Sequence, residues 1–212
     1  IDLNRNRNEI DNDMFYNFSS TNFEITKKVK TGIGLFPRYI GLNNIYNRKL
    51  NWLTYKSLIN TVYNVWHDKL NEEIYKIKNS FSNAVLLDCH SMPSFDLNGK
   101  KISDIPDFVI GDLFHKSCKK EIVDFVVNAL KKEGFSVAVN KPYAGAYILK
   151  KYGKPEKKIN AMQIEIRKDL YCNEKELTLN KNYSKVKSIL KGLIVNLSNE
   201  IKYNTPEQKV AE

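Results

Sequence analysis

Ala84-Val85-Leu86-Leu87-Asp88-Cys89-His90-Ser91 is the stretch on which the fold turns. Its first four residues form a continuous apolar run, bounded by Asn83 before and Asp88 after. So short a run predicts a strand buried on both faces, as in a parallel sheet. Upstream, from about Leu50 to Phe81, Leu58, Val62, Val65, Trp66, Leu70, Ile74 and Ile77 recur at helical spacing. That spacing predicts one long amphipathic helix or two abutting ones. Downstream, Phe108-Val109-Ile110 predicts a second short strand. Ser117 to Glu133 predicts a helix with Ile122, Phe125, Val126 and Leu130 on one side and Gly134 just past its end. Phe135 to Val139 and Ile159 to Arg167 read as strands. Tyr147 to Tyr152 reads as a short helix after the Pro142–Gly145 turn, and Val186 to Ile201 as a closing helix. Strands alternating with helices predict an α/β domain with a mostly parallel sheet.

Composition sets the outer limits. The 212 residues carry no long polar or Pro/Gly-rich linker, so one domain over 1–212 is the expectation. No stretch approaches the ~20 apolar residues of a membrane span. Cys89, Cys118 and Cys172 have no metal-knuckle spacing and read as free thiols of a reducing compartment, the cytoplasm. The net charge of +10 comes from scattered lysines, which read as a solvated basic surface. A nucleic-acid module would need them clustered and interleaved with aromatics, so neither nucleic acid nor membrane is an expected partner.

Three segments depart from what a plain core needs. Asp88-Cys89-His90 ends the apolar strand, where α/β sheets gather functional groups. Alternation puts Asp88 and His90 on one face and Cys89 on the other. His90 could be a metal ligand with Asp88 fixing its tautomer, or a satisfied structural histidine, or the base of a Cys89 nucleophile. In Met162-Gln163-Ile164-Glu165-Ile166-Arg167, Gln163, Glu165 and Arg167 share a face. Either Glu165 and Arg167 pair at the sheet edge, or Glu165 is a general base beside a metal. Asn4-Arg5 offers a planar fork for a carboxylate. His67, bordering the apolar helix face near Tyr63 and Leu70, reads as structural by residue type alone.

Taken in order, these segments resemble the N-formylglutamate amidohydrolase family. The matching pieces are Asp2-Leu3-Asn4-Arg5, Trp66-His67 with Leu70, and Leu87-Asp88-Cys89-His90-Ser91-Met92-Pro93. Then come Asp107-Phe108-Val109-Ile110-Gly111-Asp112, Asn140-Lys141-Pro142-Tyr143-Ala144-Gly145, and Gln163-Ile164-Glu165-Ile166-Arg167 through Leu170-Tyr171. The resemblance implies a mixed, mostly parallel central sheet flanked by helices on both faces, as in zinc carboxypeptidases. It implies one zinc ion per chain, with His90 similar to the family's last ligand and Glu165 to its general base. Asn4 and Arg5 resemble the pair that grips the substrate carboxylate, and Tyr143 and His67 would lie near the substrate. A second carboxylate would need a further cation, for which Arg7, Arg38, Lys141 and Arg167 are candidates. The expected substrate is a small anionic N-acyl amino acid, N-formyl-L-glutamate, released as formate and L-glutamate. The alternatives are another N-acyl amino acid, a small peptide, or a non-catalytic binding relative of the fold. The family's other zinc ligands precede the Asp-Leu-Asn-Arg motif. The chain starts at Ile1 and has only His67, His90 and His115, so those ligands and a first strand are expected upstream of residue 1.

Overall fold

A helical stretch from Trp52 to Phe81 fulfils the long helical spacing, but it is not uniform. It consists of α1 (Trp52–Leu58), a π-helical turn (Ile59–Asn64) and α2 (Val65–Phe81). The computed structural model describes residues 1–96 and 98–203, and the chain divides into two compact units, Ile1–Glu73 and Ile74–Glu212.

The first unit has little regular structure before α1. Its core is aromatic: the Phe15 ring meets Phe36, Trp52 and Tyr55 edge-on at centroid distances of 5.3–5.7 Å. Such geometry suits the ring quadrupoles and adds to the apolar area buried. Gly34 lets two backbone segments touch, because a Cβ there would lie 2.6 Å from the Glu9 carbonyl oxygen. Leu35 closes that contact, donating its N–H to Glu9 O (2.7 Å) and accepting from Asp2 N (2.8 Å).

The second unit is built on a four-stranded sheet. Its strands are β1 (Ala84–Met92), β2 (Phe108–Gly111), β3 (Val137–Val139) and β4 (Ile159–Arg167), in the order β1-β4-β2-β3. The β1/β4 and β2/β3 pairs are parallel and the β4/β2 pair is antiparallel. The sheet is therefore mixed, as expected. β1 runs further than its apolar run suggested: pairing with β4 continues from Ala84↔Ile159 to Met92↔Arg167. Asp88 and His90 thus lie within the strand and not beyond its end, because the backbone ladder outlasts the apolar side chains.

Side-chain alternation divides the two faces. Phe108, Ile110, Met162, Ile164 and Ile166 join α3 (Lys120–Lys132) and α5 (Tyr183–Tyr203) in one core with Val126, Leu130, Leu193 and Leu197. On the other face Gly111 opens a close approach. A Cβ there would meet Ala144 C at 2.7 Å and Gly145 N at 2.8 Å, so only glycine admits the turn leading into α4 (Tyr147–Tyr152). α4 packs against β4. No helix among the described residues is long and apolar enough to cross a membrane.

Ile164 is 1% exposed at the middle of β4. Ile164→Ala should destabilise the protein by about 2–5 kcal/mol through lost transfer energy and a residual cavity. A urea titration followed by circular dichroism would read this as a lower midpoint at unchanged slope.

Candidate active site

The parallel register of β1 and β4 sets the geometry. Asp88 lies opposite Gln163 and His90 opposite Glu165, and partners across a ladder project from the same face. On the far side of β4, Val109 lies opposite Glu165 and Gly111 opposite Gln163. Glu165 therefore stands between an imidazole and a fully buried valine, while Gln163 stands between a carboxylate and a position with no side chain.

The polar groups engage one another. His90 Nε2 lies 2.9 Å from Asp88 Oδ1, the carboxylate–histidine contact that alternation predicted. Gln163 Nε2 donates to Glu165 Oε1. Gln163 Oε1 is buried and has no protein donor among the described residues, so an acceptor is left over on this face. Burial pushes the Glu165 carboxyl above its ordinary value. His90 and the Gln163 hydrogen bond oppose that shift, and the Asp88 charge adds to it. The Tyr143 hydroxyl is raised by burial and then by the Glu165 charge, which places Tyr143 within electrostatic reach of the carboxylate. Cys89 is exposed on the opposite face, opposite Ile164. Although the residue is exposed, partial desolvation by the surrounding protein and then the Asp88 charge push the thiol up. A nucleophilic cysteine needs the reverse shift, and its face separates it from His90.

The turn carrying Tyr143 is braced by Asp112 and Asn140, which sequence reasoning placed in motifs without giving either a role. Leu113, Phe114 and His115 all take left-handed backbone angles (φ 53, 57 and 66°). Each such residue costs of order 1–3 kcal/mol unless its surroundings hold it. Here buried Asp112 and Asn140 hold them. Asp112 Oδ1 accepts from His115 N (3.1 Å) and Asn140 Nδ2 (2.6 Å), and Asn140 Oδ1 accepts from Asp112 N (3.0 Å). Leu113 N then donates to Ala144 O at 2.8 Å. The visible signal was Gly111-Asp112 ending an apolar strand. His115 Nδ1 lies 2.7 Å from Asp112 Oδ2, which gives the third histidine a place in this brace.

Asn4, Arg5, His67, Arg38 and Arg167 are committed to protein partners. In the first unit Asn4 is buried. Arg5 donates from Nε to Ile33 O and from Nη1 to Asn4 O, both 2.8 Å, and Nη2 lies 3.3 Å from Asp2 Oδ2. His67 is 2% exposed, with Nε2 3.1 Å from Leu3 O and its ring 4.2 Å from that of Tyr63. Tyr63 donates to Arg5 O at 2.7 Å. Tyr63 and His67, one helical turn apart, thus hold the backbone of residues 3–5. Arg38 pairs with Asp11 at 3.1 Å. In the second unit Arg167 pairs with Asp107 at 3.0 Å and Asp169 at 2.6 Å and donates to Ile105 O. These two carboxylates neutralise its charge.

For a metal, the described residues offer a beginning only. No three His, Cys, Asp or Glu side chains among them are grouped to hold an ion, whereas a catalytic zinc takes three protein ligands. His90, oriented by Asp88, could supply one.

Comparison with known proteins agrees with this architecture. A family model described as N-formylglutamate amidohydrolase matches residues 1–172. An N-formylglutamate deformylase of Pseudomonas putida is 29% identical over 127 residues, 57% of this chain and 45% of that protein. One from Pseudomonas aeruginosa is 31% identical over 121 residues, 53% of this chain and 42% of that protein. The chain thus spans less than half the length of these curated relatives. The crystal structure of N-formylglutamate amidohydrolase from Ralstonia eutropha JMP134 superposes with a TM-score of 0.88 at 28% identity, covering 96% of this chain and 74% of that one. A gene product of Agrobacterium tumefaciens, at 18% identity and TM-score 0.56, shares the fold. With a family match over residues 1–172 and this superposition, the chain belongs to the N-formylglutamate amidohydrolase family.

Proposed function

We propose that this protein hydrolyses the amide bond of N-formyl-L-glutamate to formate and L-glutamate. The observation that carries the reading is the pairing of His90 with Glu165 across β1 and β4, inside a chain of this family. Glu165 is the general base: it takes a proton from the attacking water and returns it to the leaving amine. A base is most effective with its pKa near the working pH, and burial moves Glu165 in that direction. Gln163 holds one oxygen of Glu165, which fixes the carboxylate for that transfer, and its unpartnered Oε1 suits a substrate N–H. Tyr143, whose hydroxyl is raised by burial and then by the Glu165 charge, is the donor to the acyl group in this reading. For the substrate carboxylate, the assignment to Asn4 and Arg5 rests on the family motif. Arg5 already holds its own backbone, so its part includes shaping that segment. His67 and Arg167 serve in this reading as supports, by the partners they hold.

His90 is proposed as one ligand of a zinc ion completed by residues outside the described set. When bound, such an ion would polarise the formyl carbonyl and acidify a water.

Formate release from N-formyl-L-glutamate, measured after chelation and again after adding zinc, tests reaction and metal together. Release restored by zinc is the expected result; release unaffected by thorough chelation would remove the metal from the reading. Glu165→Gln should lower kcat by roughly 10²–10⁴-fold with little change in KM. The parent's kcat/KM should fall as pH drops through the raised Glu165 pKa. Unchanged turnover in the variant would refute the base assignment.

The same carboxyl predicts a stability effect with a definite sign. Its folded pKa lies above the ordinary 4.5. The stability tied to its protonated form is present below the unfolded value and lost as pH rises through the folded one. Glu165→Gln should therefore raise the urea midpoint relative to the parent at about pH 7, and not at about pH 4. Equal midpoints at both pH values would mean that the site solvates the charge fully.

A further inference from the structure

Asn140 follows β3 in a left-handed conformation (φ 61°) and is 6% exposed. Its side chain reaches across to the segment that leaves β2. Oδ1 accepts from Asp112 N (3.0 Å) and Phe114 N (3.4 Å), and Nδ2 donates to Asp112 Oδ1 (2.6 Å). Its backbone N–H donates to Ile110 O at 2.8 Å, which prolongs the pairing of β2 with β3 by one rung. Residue 140 is thereby fastened to residues 110–114.

The chain is fastened to the same segment again four residues on, where Ala144 O accepts from Leu113 N at 2.8 Å. Tyr143 lies between these two anchors. So short a span has few conformations left once both ends are fixed. Gly111 sets its height: with no Cβ there, the backbone of Ala144 and Gly145 comes down onto the face of the sheet that carries Gln163, the partner of Gly111 across the ladder. The Tyr143 side chain is 39% exposed, so it can meet a ligand. Left-handed backbone at 140 and at 113–115 is unfavourable for residues other than glycine unless the surroundings impose it. What this strained arrangement positions is the Tyr143 turn.

We propose that Asn140 is a positioning residue: its side-chain bonds to Asp112 and Phe114 set where Tyr143 stands, and its contribution to the reaction passes through Tyr143. The inference rests on the hydrolase reading, in which Tyr143 is the donor to the acyl group.

Asn140→Gly removes the side chain and leaves the left-handed backbone easy to adopt. Formate release from N-formyl-L-glutamate should fall in kcat by about 10–100-fold, with KM changed less than about threefold. In a Tyr143→Phe background the same substitution should cost less than about threefold, because the group it positions has already gone. Equal losses in the two backgrounds would overturn the proposal, as would a parental kcat in Asn140→Gly. Where Asn140→Gly does not fold, Asn140→Asp decides. It sets two carboxylates against each other, and adding Asp112→Asn, which supplies a donor, should recover part of the lost kcat; no recovery would overturn the assignment.

A second measurement needs no turnover, so a parent that releases no formate would sink the hydrolase reading and leave the positioning of Tyr143 to be decided here. The 12 tyrosines are replaced by 3-fluorotyrosine, and Tyr143→Phe assigns the ¹⁹F signal of residue 143. Glu165→Gln should shift that signal in the otherwise parental chain and leave it in place in Asn140→Gly. No shift in the first, or an equal shift in both, would overturn the proposal.

Discussion

The parallel pairing of β1 with β4 is the constraint on which the second unit depends. Nine residues of each strand are in register, and a slip of one residue would turn every side chain to the other face. His90 would then lose its place beside Glu165, while Met162, Ile164 and Ile166 would leave the core they share with α3 and α5. Packing and chemistry are thus fixed by the same ladder. The apolar face supplies the free energy that holds the register, and the polar face is positioned as a result.

That polar face is held against its own tendencies. A buried carboxylate, a buried amide with an unused oxygen and three consecutive left-handed residues all oppose folding locally. Each has a specific counterweight. Gln163 and His90 stabilise the Glu165 charge, although burial outweighs them. Asp112 and Asn140 pin the left-handed turn through hydrogen bonds to its backbone N–H groups. Gly111 removes the Cβ that would push the Tyr143 turn away. Strain of this kind is what a site for chemistry retains where a structural core would repack.

Much of the second unit was legible because its signals are local. The strand at Ile159–Arg167 and the helix at Tyr147–Tyr152 fall where their patterns placed them. The shared face of Asp88 and His90 follows from alternation alone, and the contact between them is present. What stayed hidden depends on pairing at a distance. β1 continues past its apolar run to Met92 because β4 supplies a ladder, which no window on β1 could reveal. That β2 runs antiparallel to β4 but parallel to β3 leaves no local trace. The π-helical turn within the long helix is also invisible to a periodicity count. Asp112 and Asn140 are 28 residues apart and become a pair only in the fold. The first unit, poor in regular elements, was legible mainly through its motif at Asp2–Arg5.

That motif shows how a short sequence signal becomes a rigid feature. Arg5 could have been a mobile surface fork. Instead its donors reach Ile33 O and Asn4 O, its charge lies near Asp2, and its own carbonyl accepts from Tyr63. His67 holds the Leu3 carbonyl one helical turn further on. Long side chains surrender substantial conformational entropy when immobilised, and here that loss is taken during folding, before any ligand arrives. A guanidinium fixed in this way binds with a smaller entropic penalty than a free one. The residue most readily read as a substrate contact is therefore also part of the scaffold. Its substitution would disturb the backbone of residues 2–5 together with any carboxylate bound there. The buried His67 and Tyr63 owe their place in that segment to the same economy: they are remote from chemistry in type, yet they set where Asn4 and Arg5 stand.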